Sequence, residues 1–171
     1  MAGLSLLGLA ACTTSNAAPV TTTPEAGCEP YVSDADLSES VSFSANVVPV
    51  FMTNCAVGGN IGCHSAGNAS PFLGSSDGGV DASIVLASII GVEAGEDPEM
   101  DYVAPNEPEQ SYLMHKMDGD QCTLQAQCAL SFYNEYYPNC GASMPFLPHL
   151  LLPAPVRDQV RAWISQGAQN N

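Results

Sequence analysis

Cysteine placement constrains this chain more than any other feature, because it decides which covalent bonds tie the fold together. The first, Cys12, ends the apolar run Met1-Ala-Gly-Leu-Ser-Leu-Leu-Gly-Leu-Ala-Ala-Cys12, which is too short to span a bilayer and closes on small residues, as a secretory signal does. Residues 1–11 are therefore expected to be removed on export. Export to an oxidising space lets the remaining cysteines be counted in pairs. Cys55 and Cys63 stand apart from the rest, with seven residues between them and His64 directly after the second. If those two are used elsewhere, Cys28, Cys122, Cys128 and Cys140 remain, an even set that suffices for two disulfides.

Eighteen acidic residues stand against Lys116, Arg157 and Arg161, a formal charge of −15. Such a chain repels nucleic-acid phosphates and anionic headgroups, which excludes nucleic-acid binding, and it attracts a basic partner or divalent cations at long range. At 171 residues it is one domain's worth. Serine or cysteine nucleophile chemistry is not expected, the cysteines being better used otherwise.

Residues 12–42 are rich in Thr, Ala, Pro and acid and poor in large apolar side chains, so the segment reads as a flexible tether. Cys28 makes sense there only as a staple onto the folded body. An all-α domain is expected over 43–171. Asn46 or Ser44 caps a first helix with Pro49 in its first turn and Val47, Val50, Phe51 and Cys55 at helical spacing, ended by Gly58-Gly59. Residues 66–79 read as loop, the apolar run 82–91 as a helix, and 110–117 as a short helix turning Tyr112, Leu113 and Met117 inward. An insertion at about 119–140 carries Phe132, Tyr133, Tyr136 and Tyr137 and is expected to be clamped by Cys122 to Cys140. The last helix has a Val156, Val160, Trp163, Ile164 stripe and stops at Gly167. Asp77, Asp81, Glu93, Glu96, Asp97, Glu99 and Asp101 lack the spacing of a twelve-residue calcium loop and read as a solvated face.

Two thiols followed at once by a histidine is how a c-type haem is held. The thiols add across the two vinyl groups of one porphyrin edge, so their sulfurs must lie at a fixed separation. The usual motif has two residues between the cysteines; seven fit only if 56–62 loop out, which Gly58, Gly59 and Gly62 permit. His64 is then the proximal iron ligand, its other ring nitrogen oriented by a backbone carbonyl. Ser143-Met144-Pro145 offers a thioether to the opposite face, a soft ligand that favours Fe(II) and raises the potential. His115, beside Met114 and Met117, is a rival distal ligand, and His149 reads as structural. The plainer alternative is a Cys55–Cys63 disulfide beside a surface histidine.

Leu9-Ala10-Ala11-Cys12 resembles a bacterial lipobox, which implies acylation of Cys12 and a lipid anchor. The domain itself resembles class I cytochrome c of exported bacterial proteins. The residues that carry the likeness are Asn46-Val-Val-Pro-Val-Phe51, Cys55 and Cys63-His64, Ala104-Pro-Asn-Glu-Pro-Glu-Gln-Ser-Tyr-Leu113 before Lys116, Gly141-Ala-Ser-Met-Pro145, and Val160-Arg-Ala-Trp-Ile-Ser-Gln-Gly-Ala168. The resemblance implies a small helical fold in which the first and last helices cross and Val50, Phe51 and Trp163 pack beside the haem. It further implies one covalent haem c with His64 and Met144 as axial ligands, and an electron carrier rather than an enzyme. Its site is extracytoplasmic, periplasm or cell surface, and its partner a redox protein with a basic docking face. Competing readings are a haem peroxidase-like module whose Met144 is displaceable, and a haem-free, disulfide-stapled binding lipoprotein.

Overall fold

The computed structural model describes residues 28–56, 63–65, 69–75, 80–124, 128, 140–146 and 151–171. The expected signal with Cys12, the glycines between Cys55 and Cys63, Asp77, the aromatics of 132–137 and His149 lie outside the described residues. Among the described residues four α-helices carry the fold: α1 (Val48–Asn54), α2 (Ala82–Ile89), α3 (Tyr112–Asp118) and α4 (Ala154–Ser165). Strand pairing among the described residues is confined to isolated bridges such as Ile90 with Val103, so what is described is mostly helical, consistent with the all-α class expected.

Helical structure begins earlier than the capping letters predict. Phe43–Val47 forms a π-helical turn that runs into α1. Ser42, rather than Ser44 or Asn46, is its cap: Ser42 Oγ accepts from the Ala45 N–H at 3.2 Å, and Asn46 Oδ1 accepts from the Ser42 N–H at 2.9 Å. Pro49 occupies the first turn of α1, where its missing N–H leaves no bond unmade. The helix stops at Cys55, before the glycines expected to end it. Asp81 caps α2 by accepting from the Ser83 N–H at 2.9 Å. Gly119 ends α3 at φ +76°, a left-handed conformation that other residues resist, and its N–H reaches back to the His115 carbonyl at 3.0 Å.

The aromatic centre joins the beginning of the domain to its end. Phe43 stacks on Trp163 with ring centroids 4.8 Å apart and meets Phe51 edge-on at 6.4 Å. All three rings are buried, each contributing on the order of 2 kcal/mol or more through removal of apolar surface from water. Val85 and Ile89 of α2, Leu113, Met114 and Met117 of α3, and Val160 and Ile164 of α4 complete the same core. Val160, Trp163 and Ile164 of the expected α4 stripe are buried and Val156 only partly, and together they are less than half of what that helix buries. Arg157 and Arg161 are buried too, and both grip Asp118 at the end of α3.

Residues 28–42 are stapled onto this body. Cys28 is disulfide-bonded to Cys122, the Tyr31 ring lies 4.1 Å from the Arg157 guanidinium, and the Tyr31 N–H donates to Asp120 Oδ2 at 2.7 Å. Further along, Ser33 Oγ donates to Asp158 Oδ1 at 2.7 Å and Gln166 Nε2 donates to the Leu37 carbonyl at 3.0 Å. The four cysteines outside the Cys55/Cys63 pair do form two disulfides, but not with the expected partners. Cys128 bonds Cys140, and Cys122 bonds Cys28 instead of Cys140. Cys122 sits in the 3-10 turn Gln121–Leu124, beside Asp120, which holds the Tyr31 backbone, so the 28–42 strap brings Cys28 to it.

Candidate functional site

The end of α1 positions the first thiol. Cys55 is the C-cap residue of that helix, its N–H donating to the Phe51 carbonyl at 2.8 Å and its side chain buried. Its own carbonyl accepts from the His64 N–H at 3.2 Å, so the chain returns to the helix end after the seven intervening residues. The Cys63 carbonyl accepts from Ala69 and the His64 carbonyl from Leu73, at 3.0 and 2.8 Å, which fixes the corner from its far side. Cys55 and Cys63 are both free thiols, the first buried and the second exposed, so the Cys55–Cys63 disulfide is not formed. Burial pushes the Cys55 thiol up to about 12, with the neighbouring Cys63 adding to it.

The His64 ring is oriented by the backbone around it. Its Nδ1 lies 3.0 Å from the Pro71 carbonyl oxygen, which can only accept, so Nδ1 carries the proton and Nε2 keeps its lone pair. Burial lowers the His64 pKa and outweighs the hydrogen bonds to the Pro71 and Ala69 backbone, while the opposite charges of Lys116 and Glu96 act against each other. A neutral imidazole with one unprotonated nitrogen is the form that binds a metal.

Met144 is held by α3. Cys140 and Gly141 turn the backbone through positive φ, +64° and +79°, and an added Cβ at Gly141 would come within 2.6 Å of Glu96 Oε1 and 2.7 Å of Lys116 Nζ. Glycine is needed there for both reasons. Lys116 Nζ donates to Glu96 Oε2 at 2.8 Å and to the Cys140 carbonyl at 3.0 Å, and the Tyr112 hydroxyl lies 2.7 Å from the same two oxygens. The Met144 N–H donates to the Lys116 carbonyl at 2.7 Å. Lys116 therefore holds the turn that carries Met144, through its side chain and its own carbonyl.

His115, the rival ligand, is turned to other work. Its Nδ1 lies 2.7 Å from Asp120 Oδ1 and its Nε2 3.2 Å from the Glu109 carbonyl, so both ring nitrogens are engaged. Burial alone would lower its pKa; the Asp120 carboxylate outweighs that, and the net shift is upward.

No protein-family model, curated protein or solved structure matches the chain. Family likeness therefore rests on the sequence motifs alone, and the site on its own geometry. The structure brings Cys55, Cys63 and His64 to one corner and ties Met144 to Lys116. The sequence reading missed Glu96, which it assigned to a solvated face, and Asp97, which is fully buried in the same loop. One signal for Glu96 was present: Lys116, the single lysine, follows Tyr112 by four residues on the inward side of α3, where an ammonium requires a carboxylate. Gly74-Ser75-Ser76-Asp77-Gly78 spells the Gly-x-Ser-x-Gly of a nucleophile elbow, which the cysteine-based expectation of no nucleophile chemistry does not cover. That elbow needs a strand before the serine; residues 69–75 are not a strand, and Ser76 lies outside the described residues.

All three Lys and Arg side chains are internal and ion-paired: Lys116 with Glu96, Arg157 with Asp118, and Arg161 with Asp118 and Glu109. Carboxylates are thus left to set the charge of the surface.

Proposed function

We propose that this chain is a monohaem class I cytochrome c that carries electrons outside the cytoplasm, with Cys55 and Cys63 as attachment points and His64 and Met144 as axial ligands. The observation that carries the reading is the His64 corner: two unpaired thiols in a protein whose other described cysteines are disulfide-bonded, folded back onto a histidine whose Nδ1 is held by the Pro71 carbonyl. Haem iron bound there supplies one-electron exchange between Fe(II) and Fe(III). What the chain contributes is the orientation of His64 by Pro71, the burial that keeps the imidazole neutral, and the turn that places Met144 on α3. The aromatic contact of Phe43, Phe51 and Trp163 between the first turn and the last helix supports the fold that the resemblance implies.

The two disulfides are compatible with export, and no described helix is long and apolar enough to cross a membrane. Anchoring is assigned to lipid on Cys12. A surface whose Lys and Arg are all internal supports a redox partner with a basic docking face, found faster at low ionic strength.

The decisive test is a pair of substitutions in protein produced with a cytochrome c maturation system. Met144→Ala is expected to lower the reduction potential and to open the iron to cyanide and carbon monoxide, while His115→Ala changes neither. The reverse pattern would make the iron bis-histidine. Wild-type protein with a ligand-accessible iron would instead favour the peroxidase-like module, and protein that matures without any haem would leave the disulfide-stapled binding lipoprotein.

A further inference from the structure

We propose that Lys116 and Glu96 act as a positioning clip for Met144, fixing the turn that presents the thioether. The consequence at the iron rests on the haem reading; the clip itself is a property of the chain before any haem is attached.

The clip is built from separate parts of the chain. Lys116 engages residues 140–146 twice, through Nζ on the Cys140 carbonyl at 3.0 Å and through its own carbonyl on the Met144 N–H at 2.7 Å. Tyr112, one helical turn earlier, reaches the Cys140 carbonyl and Glu96 Oε2 from the same face of α3. Gln121 Nε2 donates to the Gly141 carbonyl at 3.1 Å. Glu96 comes from the 93–101 loop, which is itself closed by the Ala94 N–H on the Met100 carbonyl at 2.8 Å and by the Met100 N–H on the Asp97 carbonyl at 3.1 Å. Glu96 supplies the counter-charge without which a lysine only 5% exposed would be an uncompensated buried cation. Backbone and side chains then meet with no room between them, because a single methyl at Gly141 would collide with both charged groups.

An ordinary structural ion pair would stabilise the whole domain evenly. A clip acts on Met144 first. This difference is measurable in the haem-free protein by amide hydrogen exchange, with the Val160 N–H in the core of α4 as the internal reference. Lys116→Met keeps length and apolar bulk while removing the charge and the donor, and leaves a partly exposed Glu96 free to turn to water. The expected result is an exchange rate at Met144 that rises by about tenfold or more while Val160 changes by less than about twofold. Lys116→Arg, which restores charge and donors, should bring Met144 back towards its wild-type rate. In haem-loaded protein, Lys116→Met should speed cyanide binding to the ferric iron by about tenfold, as a loosened thioether yields sooner.

Equal rises at Met144 and Val160, or no rise at either, would overturn the proposal. Should Lys116→Met fail to fold, Glu96→Gln carries the same comparison with an isosteric neutral acceptor. A smaller rise confined to Met144 then supports the clip, and none refutes it. The two claims can fail separately. A clip seen in exchange on a chain that never acquires haem removes the haem reading alone, and a haem-loaded protein with unaltered exchange in the variants removes the clip alone.

Discussion

Replacing Asp118 by alanine should destabilise the domain more than any other single loss of charge. Asp118 Oδ1 lies 2.5 Å from Arg157 Nη1, Oδ2 faces Arg161 Nη2, and the side chains of Asp118, Arg157 and Arg161 are 3%, 8% and 1% exposed. Without Asp118, Arg157 keeps the Leu152 carbonyl and the Tyr31 ring, and Arg161 keeps the more exposed Glu109 and Asp158 Oδ1 at 3.8 Å. Neither guanidinium then has a close, buried counter-ion. Leaving buried charge uncompensated costs about 3–5 kcal/mol, a large fraction of the roughly 5–15 kcal/mol that holds a domain together. The intact cluster is a weaker source of net stability than its geometry suggests, because burial pushes the Asp118 carboxyl upward against the pull of both guanidiniums. Joint replacement of Asp118, Arg157 and Arg161 by Leu, Met and Met should therefore recover most of what Asp118→Ala loses. Urea unfolding with the disulfides intact reads both. For a slope of about 2 kcal/mol/M, Asp118→Ala should lower the midpoint by about 1.5–2.5 M. A loss below about 1 kcal/mol, the scale of an exposed salt bridge, would refute the reasoning.

Three further outcomes follow from the same structure. The raised pKa of His115 contributes stability that is fully present below its unfolded value of 6.5 and is lost as pH rises through the higher folded value; Asp120→Asn should flatten that part of the unfolding-midpoint profile, and an unchanged slope contradicts it. Cys28 and Cys122 are 94 residues apart, so their joint replacement by alanine should cost about 4–5 kcal/mol against about 3 kcal/mol for the Cys128–Cys140 pair, and non-reducing peptide maps that join Cys122 to Cys140 would refute the pairing. Cys12→Ser should move the exported protein from the detergent phase to the aqueous phase, and wild-type protein found wholly in the aqueous phase contradicts the lipid anchor.

The helical core was legible because its signal is local. Val160, Trp163 and Ile164 recur at helical spacing, Pro49 marks a first turn, and the run at 82–91 has the length of a helix rather than a strand, so α1, α2 and α4 follow from periodicity. The π-helical turn at Phe43–Val47 has no such signature, and Ser42 displaced Ser44 and Asn46 as the cap by a margin that composition does not register. Long-range pairing was the other blind spot. Glu96 reads as solvent-facing until Lys116 is known to lie beneath it, and Asp118 and the two arginines look like surface charge until α3 and α4 are packed together. The disulfide partners likewise depend on the strap carrying Tyr31 to Asp120. Of the candidate site, Cys63-His64 and Met144 stand out from motif chemistry, whereas the Pro71 carbonyl that sets the imidazole tautomer is a backbone group with no sequence signature.

The intact mass of the chain, matured in an oxidising compartment with a cytochrome c maturation system and then denatured, tests the central claim most directly. The haem reading predicts one haem per chain that survives denaturation, and proteolytic peptides that place its bonds on Cys55 and Cys63. A denatured chain of unmodified mass, with Cys55 and Cys63 recovered as free thiols or as a disulfide, would contradict it.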